Sequence, residues 1–337
     1  MRRTLLPAGL ALVLAVGACA SSTPAPAPAP EPTAAPTASG PLTASRQDAG
    51  QVERTLASLR RVDELPLYEM TYDGAYDPTV GTDAGPARPF GCSLFAAAGD
   101  PGRPLFARNF DWDANPALVL RTDPPDAYAS ISVVDMSYLD VDADPAGDRR
   151  LLNAPLLPFD GMNERGLAVG LAADDGARAD LDPGRATVGS VRILRLVLDR
   201  AATVDEAVAV FQRYNVDFQG GPPLHYLIAD AGGASAVVEF VDGRLRVERG
   251  SGGWRALTNV PVVGVAEQRR REDRRYRTIA EALDRSGGVA DAAAALKILA
   301  DVRQAHTRWS VTYDLRGGEV RLTTAAGGAH SYRLPMT

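Results

Sequence analysis

The chain has 337 residues, enough for one large domain or two ordinary ones, and 45% hydrophobic with 23% charged residues supports a sizeable core. A formal net charge of −6, with no basic run interleaved by aromatics, excludes the electrostatic footprint of a nucleic-acid binder. Three histidines without ligand spacing, and no Gly-x-Gly-x-x-Gly after a strand, give no signal for a metal or a cofactor, and none is expected.

In chain order, Arg2-Arg3 and the apolar run Leu5 to Val16 read as an export leader too short to span a bilayer. Val16-Gly17-Ala18-Cys19 puts a cysteine directly after two small residues, as in a bacterial lipobox. The expectation is a signal peptide over 1–18, lipidation of Cys19, and an exported protein anchored to the cell membrane, facing away from the cytoplasm. Residues 19–45 are mostly Pro, Ala, Ser and Thr, with little to bury, and read as an extended tether.

The spacing of Val52, Leu56, Leu59 and Val62 predicts a helix over 51–62, and 65–90, rich in Tyr, Gly, Asp and Pro, reads as loop. Apolar residues from Cys92 to Ala98, the turn Gly99-Asp100-Pro101-Gly102, and Pro104 to Trp112 predict a β-hairpin. A strand over 128–136, a turn over 161–167 and a strand to 172 come next. Helices over 188–200 and 207–214, the second with capping-box spacing of Thr203 and Glu206, precede a hairpin of 225–231 and 234–241. Strands over 243–248 and 255–260, helices over 265–283 and 289–303, and a hairpin of 307–315 and 319–324 complete the chain. Without sustained strand–helix–strand alternation, these elements predict an α+β fold: two antiparallel sheets with helices outside, a four-layer sandwich in one domain from about residue 46.

The chain has two cysteines, so once Cys19 is set aside Cys92 has no disulfide partner, and an unpaired thiol in an exported protein flags reactivity. A cysteine nucleophile needs a nearby cation or base to favour its thiolate. Arg108 lies on the returning strand of the hairpin and can face Cys92 across it; Asp111 can hold that arginine or an amine. A buried cysteine beside an Arg–Asp pair serves structure equally well, and spacing alone leaves both readings open. There is no Gly-x-Ser-x-Gly elbow and no Ser three residues before the sole lysine, Lys297. A papain-like pairing of Cys92 with His225 or His306 stays formally open, although His225 beside Tyr226-Leu227-Ile228 reads more simply as a strand-end residue.

Gly91-Cys92-Ser93, with Arg108-Asn109-Phe110-Asp111-Trp112 beginning sixteen residues after the cysteine, resembles the opening of mature choloylglycine hydrolase-like enzymes. This superfamily of N-terminal nucleophile hydrolases includes penicillin V acylases, bile salt hydrolases and lipid amidases. Asp160-Gly161-Met162-Asn163-Glu164-Arg165-Gly166-Leu167 is similar to a turn of the family, with Arg for its usual Lys. Leu257-Thr258-Asn259-Val260-Pro261 is similar to its oxyanion segment, and Trp309-Ser310-Val311-Thr312-Tyr313-Asp314 to a late strand. The resemblance runs from about Leu65 to the C-terminus.

It implies the αββα sandwich and a chain that cuts itself between Gly91 and Cys92. Residues 46–91 would be the pro-segment or small chain, and 92–337 the catalytic chain. The freed α-amine would act as base for the Cys92 thiol, Arg108 and Asp111 would position amine and substrate, and Asn259 with a backbone N–H would hold the oxyanion. Asn163 and Trp112 are the substrate-binding candidates. Two features depart from the bile-salt enzymes: Leu171-Ala172-Ala173-Asp174 lacks a second oxyanion Asn, and their later arginine has no clear counterpart. Glu272-Asp273-Arg274-Arg275 is nearer the acidic-Arg-Arg run of the lipid amidases. The implied activity is hydrolysis of linear, non-peptide amides of small N-acyl substrates. Acyl transfer to an amine is the alternative, and a non-catalytic lipoprotein that binds acylated ligands is the rival from another class. The acyl group and any homo-oligomer are left open.

Overall fold

The computed structural model describes residues 44–80, 90–141, 144–219, 221–250 and 252–337. The leader, Cys19 and the tether as far as residue 43 lie outside the described residues. Asp48 and Gln51 cap helix α1 (Ala49–Ala57) reciprocally, side chain to backbone. The helix stops before the expected residue 62 because strand β1 (Arg60–Asp63) instead pairs antiparallel with β2 (Leu67–Tyr72). The supposed loop over 65–90 therefore contains a strand. Its buried Met70 and Tyr72 alternate with Glu69 and Thr71, the period of a half-buried strand, but the run is short and Gly, Asp and Pro follow it.

The expected hairpin is present. β3 (Gly91–Ala97) runs antiparallel to β4 (Leu105–Asp111), with Cys92 opposite Phe110 and Leu94 opposite Arg108. β5 (Ala117–Thr122) was not predicted, and it pairs with β2 in parallel, a departure from purely antiparallel sheets. Parallel neighbours need a long crossover, and the β3–β4 excursion into the other sheet supplies it. β6 (Ser130–Asp135), β7 (Asp160–Asn163) and β8 (Ala168–Ala173) continue antiparallel. The predicted turn thus begins as a strand, and Gly166 takes the left-handed conformation (φ +75°) that closes it.

A short parallel ribbon of β9 (Thr187–Gly189) and β10 (Asn215–Asp217) brackets α2 (Ile193–Arg200) and α3 (Val204–Arg213). β11 (Leu224–Ala229), β12 (Ser235–Val241) and β13 (Arg244–Arg249) follow, then β14 (Trp254–Leu257). The predicted helix over 265–283 is two, α4 (Glu267–Arg270) and α5 (Arg274–Ser286). They are divided at Asp273, whose side chain accepts from Tyr276 N and caps α5. α6 (Ala292–Asp301), β15 (Thr307–Asp314), β16 (Glu319–Thr324) and β17 (Ala329–Arg333) end the fold.

One sheet has the order β1-β2-β5-β6-β7-β8-β11-β12-β13 and the other β14-β3-β4-β15-β16-β17. Strand alternation decides what each face touches. Leu94, Phe106 and Phe110 point into the core between the sheets, while Phe95, Ala97, Leu105 and Ala107 meet Tyr276, Ile279, Leu283 and Leu299 of α5 and α6. With α2 and α3 on the far side of the larger sheet, the layers are α, β, β, α, as expected.

Candidate active site

The same alternation puts Cys92 and Arg108 on the inter-sheet face as diagonal neighbours. Arg108 Nη2 donates to Cys92 Sγ at 2.9 Å, and Nη1 donates to Phe159 O at 2.7 Å and to Asp160 Oδ2 at 3.0 Å. The Tyr313 hydroxyl donates to Asp160 Oδ1, and Trp309 Nε1 donates to Oδ2 at 3.4 Å. Cys92, Arg108 and Asp160 have no exposed surface, and a cation buried so deeply requires this kind of pairing. Sequence reasoning treated Asp160 as part of a turn and gave it no role. The available signal was the spacing of Trp309 and Tyr313, four apart on one strand and hence on one face, opposite the Asp-Gly pair.

Asp111 does not hold Arg108, which corrects one expectation. Asp111 is three positions on from Arg108, so the two leave β4 on opposite faces. Asp111 Oδ1 accepts instead from the Thr307 hydroxyl, and Oδ2 lies 3.7 Å from Arg275 Nη1, with no hydrogen bond among the described residues. Burial holds its carboxyl above the ordinary value, against the pull of Thr307 and Arg275. Gly91 sits directly across from it, and a Cβ there would come within 2.9 Å of Asp111 Cβ. A side chain before the nucleophile would displace this carboxylate.

Asn259 projects from the loop after β14. Its Oδ1 accepts from Cys92 N at 2.9 Å and from Arg275 Nη2 at 2.9 Å, and its Nδ2 donates to Phe90 O at 3.1 Å and Ala173 O at 2.9 Å. Arg275 Nη1 also donates to Cys92 O at 2.6 Å. Arg275 is the second arginine of the acidic-Arg-Arg run and stands on the first turn of α5, so the packing of that helix on β3 and β14 delivers it. With Gly91 still attached, burial pushes the Cys92 thiol up to about 12, with Asp111 adding to the rise and Arg108 and Arg275 opposing it.

Asn163 is not available to a ligand, a second correction. It is fully buried; Nδ2 donates to Leu198 O and Ala201 O at 2.9 and 2.7 Å, and Oδ1 accepts from Arg165 N and Leu167 N at 3.1 Å each. All its hydrogen-bonding capacity ties its own turn to the end of α2. Trp112 stands with Tyr138 in an aromatic cluster that includes Phe90: that ring lies 5.3 Å from Phe110, 5.6 Å from Trp112 and 5.8 Å from Phe159. Asn109, between the two charged residues of its motif, ties α6 to the sheet by donating to Leu299 O at 2.7 Å. The ring nitrogens of His225 face Glu239 and Thr258 O rather than the thiol, so it is not the partner of a papain-like pair.

The model of the linear amide C–N hydrolases, choloylglycine hydrolase family, matches residues 92–268, starting on Cys92 itself. A penicillin V acylase from Pectobacterium atrosepticum is 27% identical over 180 residues, 48% of this chain and 47% of that protein, so the match spans about half of each. Among solved structures, penicillin V acylase from Agrobacterium tumefaciens superimposes with a TM-score of 0.54 at 18% identity, covering 72% of this chain and 86% of that one. A mutant conjugated bile acid hydrolase from Clostridium perfringens gives 0.56 at 18% identity, over 72% and 92%. At such identity the likeness carries the fold, that of the N-terminal nucleophile hydrolases. The chain belongs to the choloylglycine hydrolase family of linear amide C–N hydrolases.

Proposed function

We propose that this protein is a self-processed cysteine amidase, which hydrolyses linear, non-peptide amides of acyl groups through an acyl-enzyme on Cys92. The observation that carries the reading is the set of contacts on one residue: Arg108 on its sulfur, Asn259 on its nitrogen and Arg275 on its carbonyl. Maturation begins when the thiol attacks the Gly91 carbonyl and the Gly91–Cys92 amide becomes a thioester, which water then hydrolyses. The new α-amine has an intrinsic pKa of about 8, suited to taking the thiol proton during attack on a substrate carbonyl. Its nitrogen adjoins Gly91, the strand partner of Asp111, whose Oδ2 accepts no hydrogen bond among the described residues. Asp111 is thus assigned to the amine and Arg108 to the thiolate.

Withdrawal of the freed Phe90–Gly91 end from the site, with β2 kept in its sheet, has two further consequences. The Asn259 amide hydrogen that Phe90 O now accepts becomes free for a substrate oxyanion. The space of the Phe90 ring, walled by Phe110, Trp112 and Phe159, becomes a box for the acyl group, which favours an aromatic acyl chain and gives Trp112 its substrate-binding part. The leader and lipobox support a location outside the cytoplasm with a lipid anchor at Cys19.

Intact-mass analysis of the purified protein is expected to find a fragment beginning at Cys92, while Cys92→Ala stays uncut and inert. An active chain still joined at Gly91 would overturn the mechanism. Replacing Cys19 by Ser is expected to move the protein from the detergent phase to the aqueous phase; identical partitioning of both forms would remove the anchor.

A further inference from the structure

We propose that His225, together with Glu239, is a positioning residue that sets the orientation of Asn259, a role that rests on the amidase reading above. His225 is on β11 and Glu239 on neighbouring β12, both without exposed surface in a core that is otherwise largely apolar. His225 Nδ1 lies 3.1 Å from Glu239 Oε1, and Nε2 lies 2.7 Å from Thr258 O. A carbonyl oxygen can only accept, so the contact with Thr258 is a bond donated by Nε2–H.

Glu239 in turn receives Val262 N on Oε1 at 2.7 Å and Val263 N on Oε2 at 2.8 Å. The pair therefore grips the loop after β14 on either side of Asn259: Thr258 immediately before it, and Val262 with Val263 just beyond Pro261. Burial alone would raise the Glu239 carboxyl, yet the bond from His225 and the two backbone N–H groups bring it below its ordinary value, as suits an ionised anchor.

A buried ion pair is seldom the most stable way to fill a core, since apolar residues of the same volume often do as well. Its location is what gives it a purpose. Thr258 also donates through its hydroxyl to Asp273 at 3.2 Å, the cap of the helix that carries Arg275. Fixing Thr258 fixes the asparagine on one side of Cys92 and registers the arginine on the other.

The test uses self-cleavage at Gly91 in the full chain, which needs no external substrate. His225→Gln keeps an amide donor near the place of Nε2, whereas His225→Asn keeps one near Nδ1. If the bond to Thr258 does the positioning, the Asn variant cleaves about tenfold more slowly than the wild type and the Gln variant no more than about threefold, with equal melting temperatures. Equal slowing of the two, or slowing that tracks the melting temperature, overturns the proposal. Wild type that is never cut defeats the amidase reading itself, whereas wild type cut normally with indistinguishable variants defeats only the role of His225. Should both variants fail to fold, nitrogen-15 histidine NMR of the wild type decides. A hydrogen on Nε2 supports the grip on Thr258, and a bare Nε2 overturns it.

Discussion

Two turns of this molecule each present a buried or half-buried asparagine at the end of a strand. Each asparagine makes four hydrogen bonds, two through Nδ2 and two through Oδ1. The difference lies in where the bonds go. Those of Asn163 end in its own turn and on the last carbonyls of α2 and the residue beyond. Those of Asn259 reach Phe90, Cys92, Ala173 and Arg275, on three other parts of the fold. One side chain closes a corner, while the other assembles a site from distant pieces, and one of its partners belongs to the chain end that processing would free. Counting hydrogen bonds does not tell these two asparagines apart; where the partners lie in the fold does.

The comparison breaks most decisively at Asn259. Asn259→Ala is expected to lower turnover by about a hundred- to a thousandfold, with melting near that of the wild type, because an oxyanion donor acts on the transition state. Loss of activity only through unfolding would place it with Asn163. Arg275→Met comes next: Cys92 O and Asn259 Oδ1 lose their guanidinium partner, and kcat should fall about tenfold or more through a charged hydrogen bond. A fall confined to KM would show that Arg275 only holds substrate. Trp112→Ala removes one wall of the box around Phe90 and is expected to raise KM for an aryl-acyl amide about tenfold while sparing a short aliphatic one. A loss shared equally by both substrates would remove Trp112 from the acyl pocket. Asn163→Ala should have the least effect on catalysis: about 3 kcal/mol of stability lost in urea unfolding, from orphaned buried groups, with the specific activity of the folded fraction unchanged. Reduced activity at full stability would show that the 160–167 turn reaches the substrate.

What the sequence made legible follows the same line. Cys92 and Arg108 lie on two strands of one hairpin, so their spacing carries their contact, and the layer order followed from the succession of hairpins and helix pairs. The role of Asp111 was legible only in part: the period of two along β4, applied to its offset of three from Arg108, already excluded a bond between them. Arg275 was hidden for a different reason. Its position depends on how α5 docks on β3 and β14, which no local pattern encodes, and only the unusual run Glu272-Asp273-Arg274-Arg275 hinted at it. β5 was missed because it is buried on both faces, and a short apolar run without alternation has no period to read. β2 does alternate, but its run is short, and the Gly, Asp and Pro that follow it read as loop.

The parallel pairing of β2 with β5 has a further consequence. β2 and α1 precede Cys92, yet β2 is built into the larger sheet through six residue pairs, and Tyr76 donates to Asp199 at 2.7 Å on the other side of the cut. Severing the Gly91–Cys92 bond therefore does not discard these elements; it changes the order of the folding reaction. The uncut precursor refolds as a single molecule at a rate indifferent to dilution. The processed enzyme would be a complex of two polypeptides that must find each other again, so its melting temperature rises with protein concentration and its recovery from denaturant fails at high dilution. Maturation would then act as a ratchet, in which the intact chain is needed to reach the fold and the cut chain to use it.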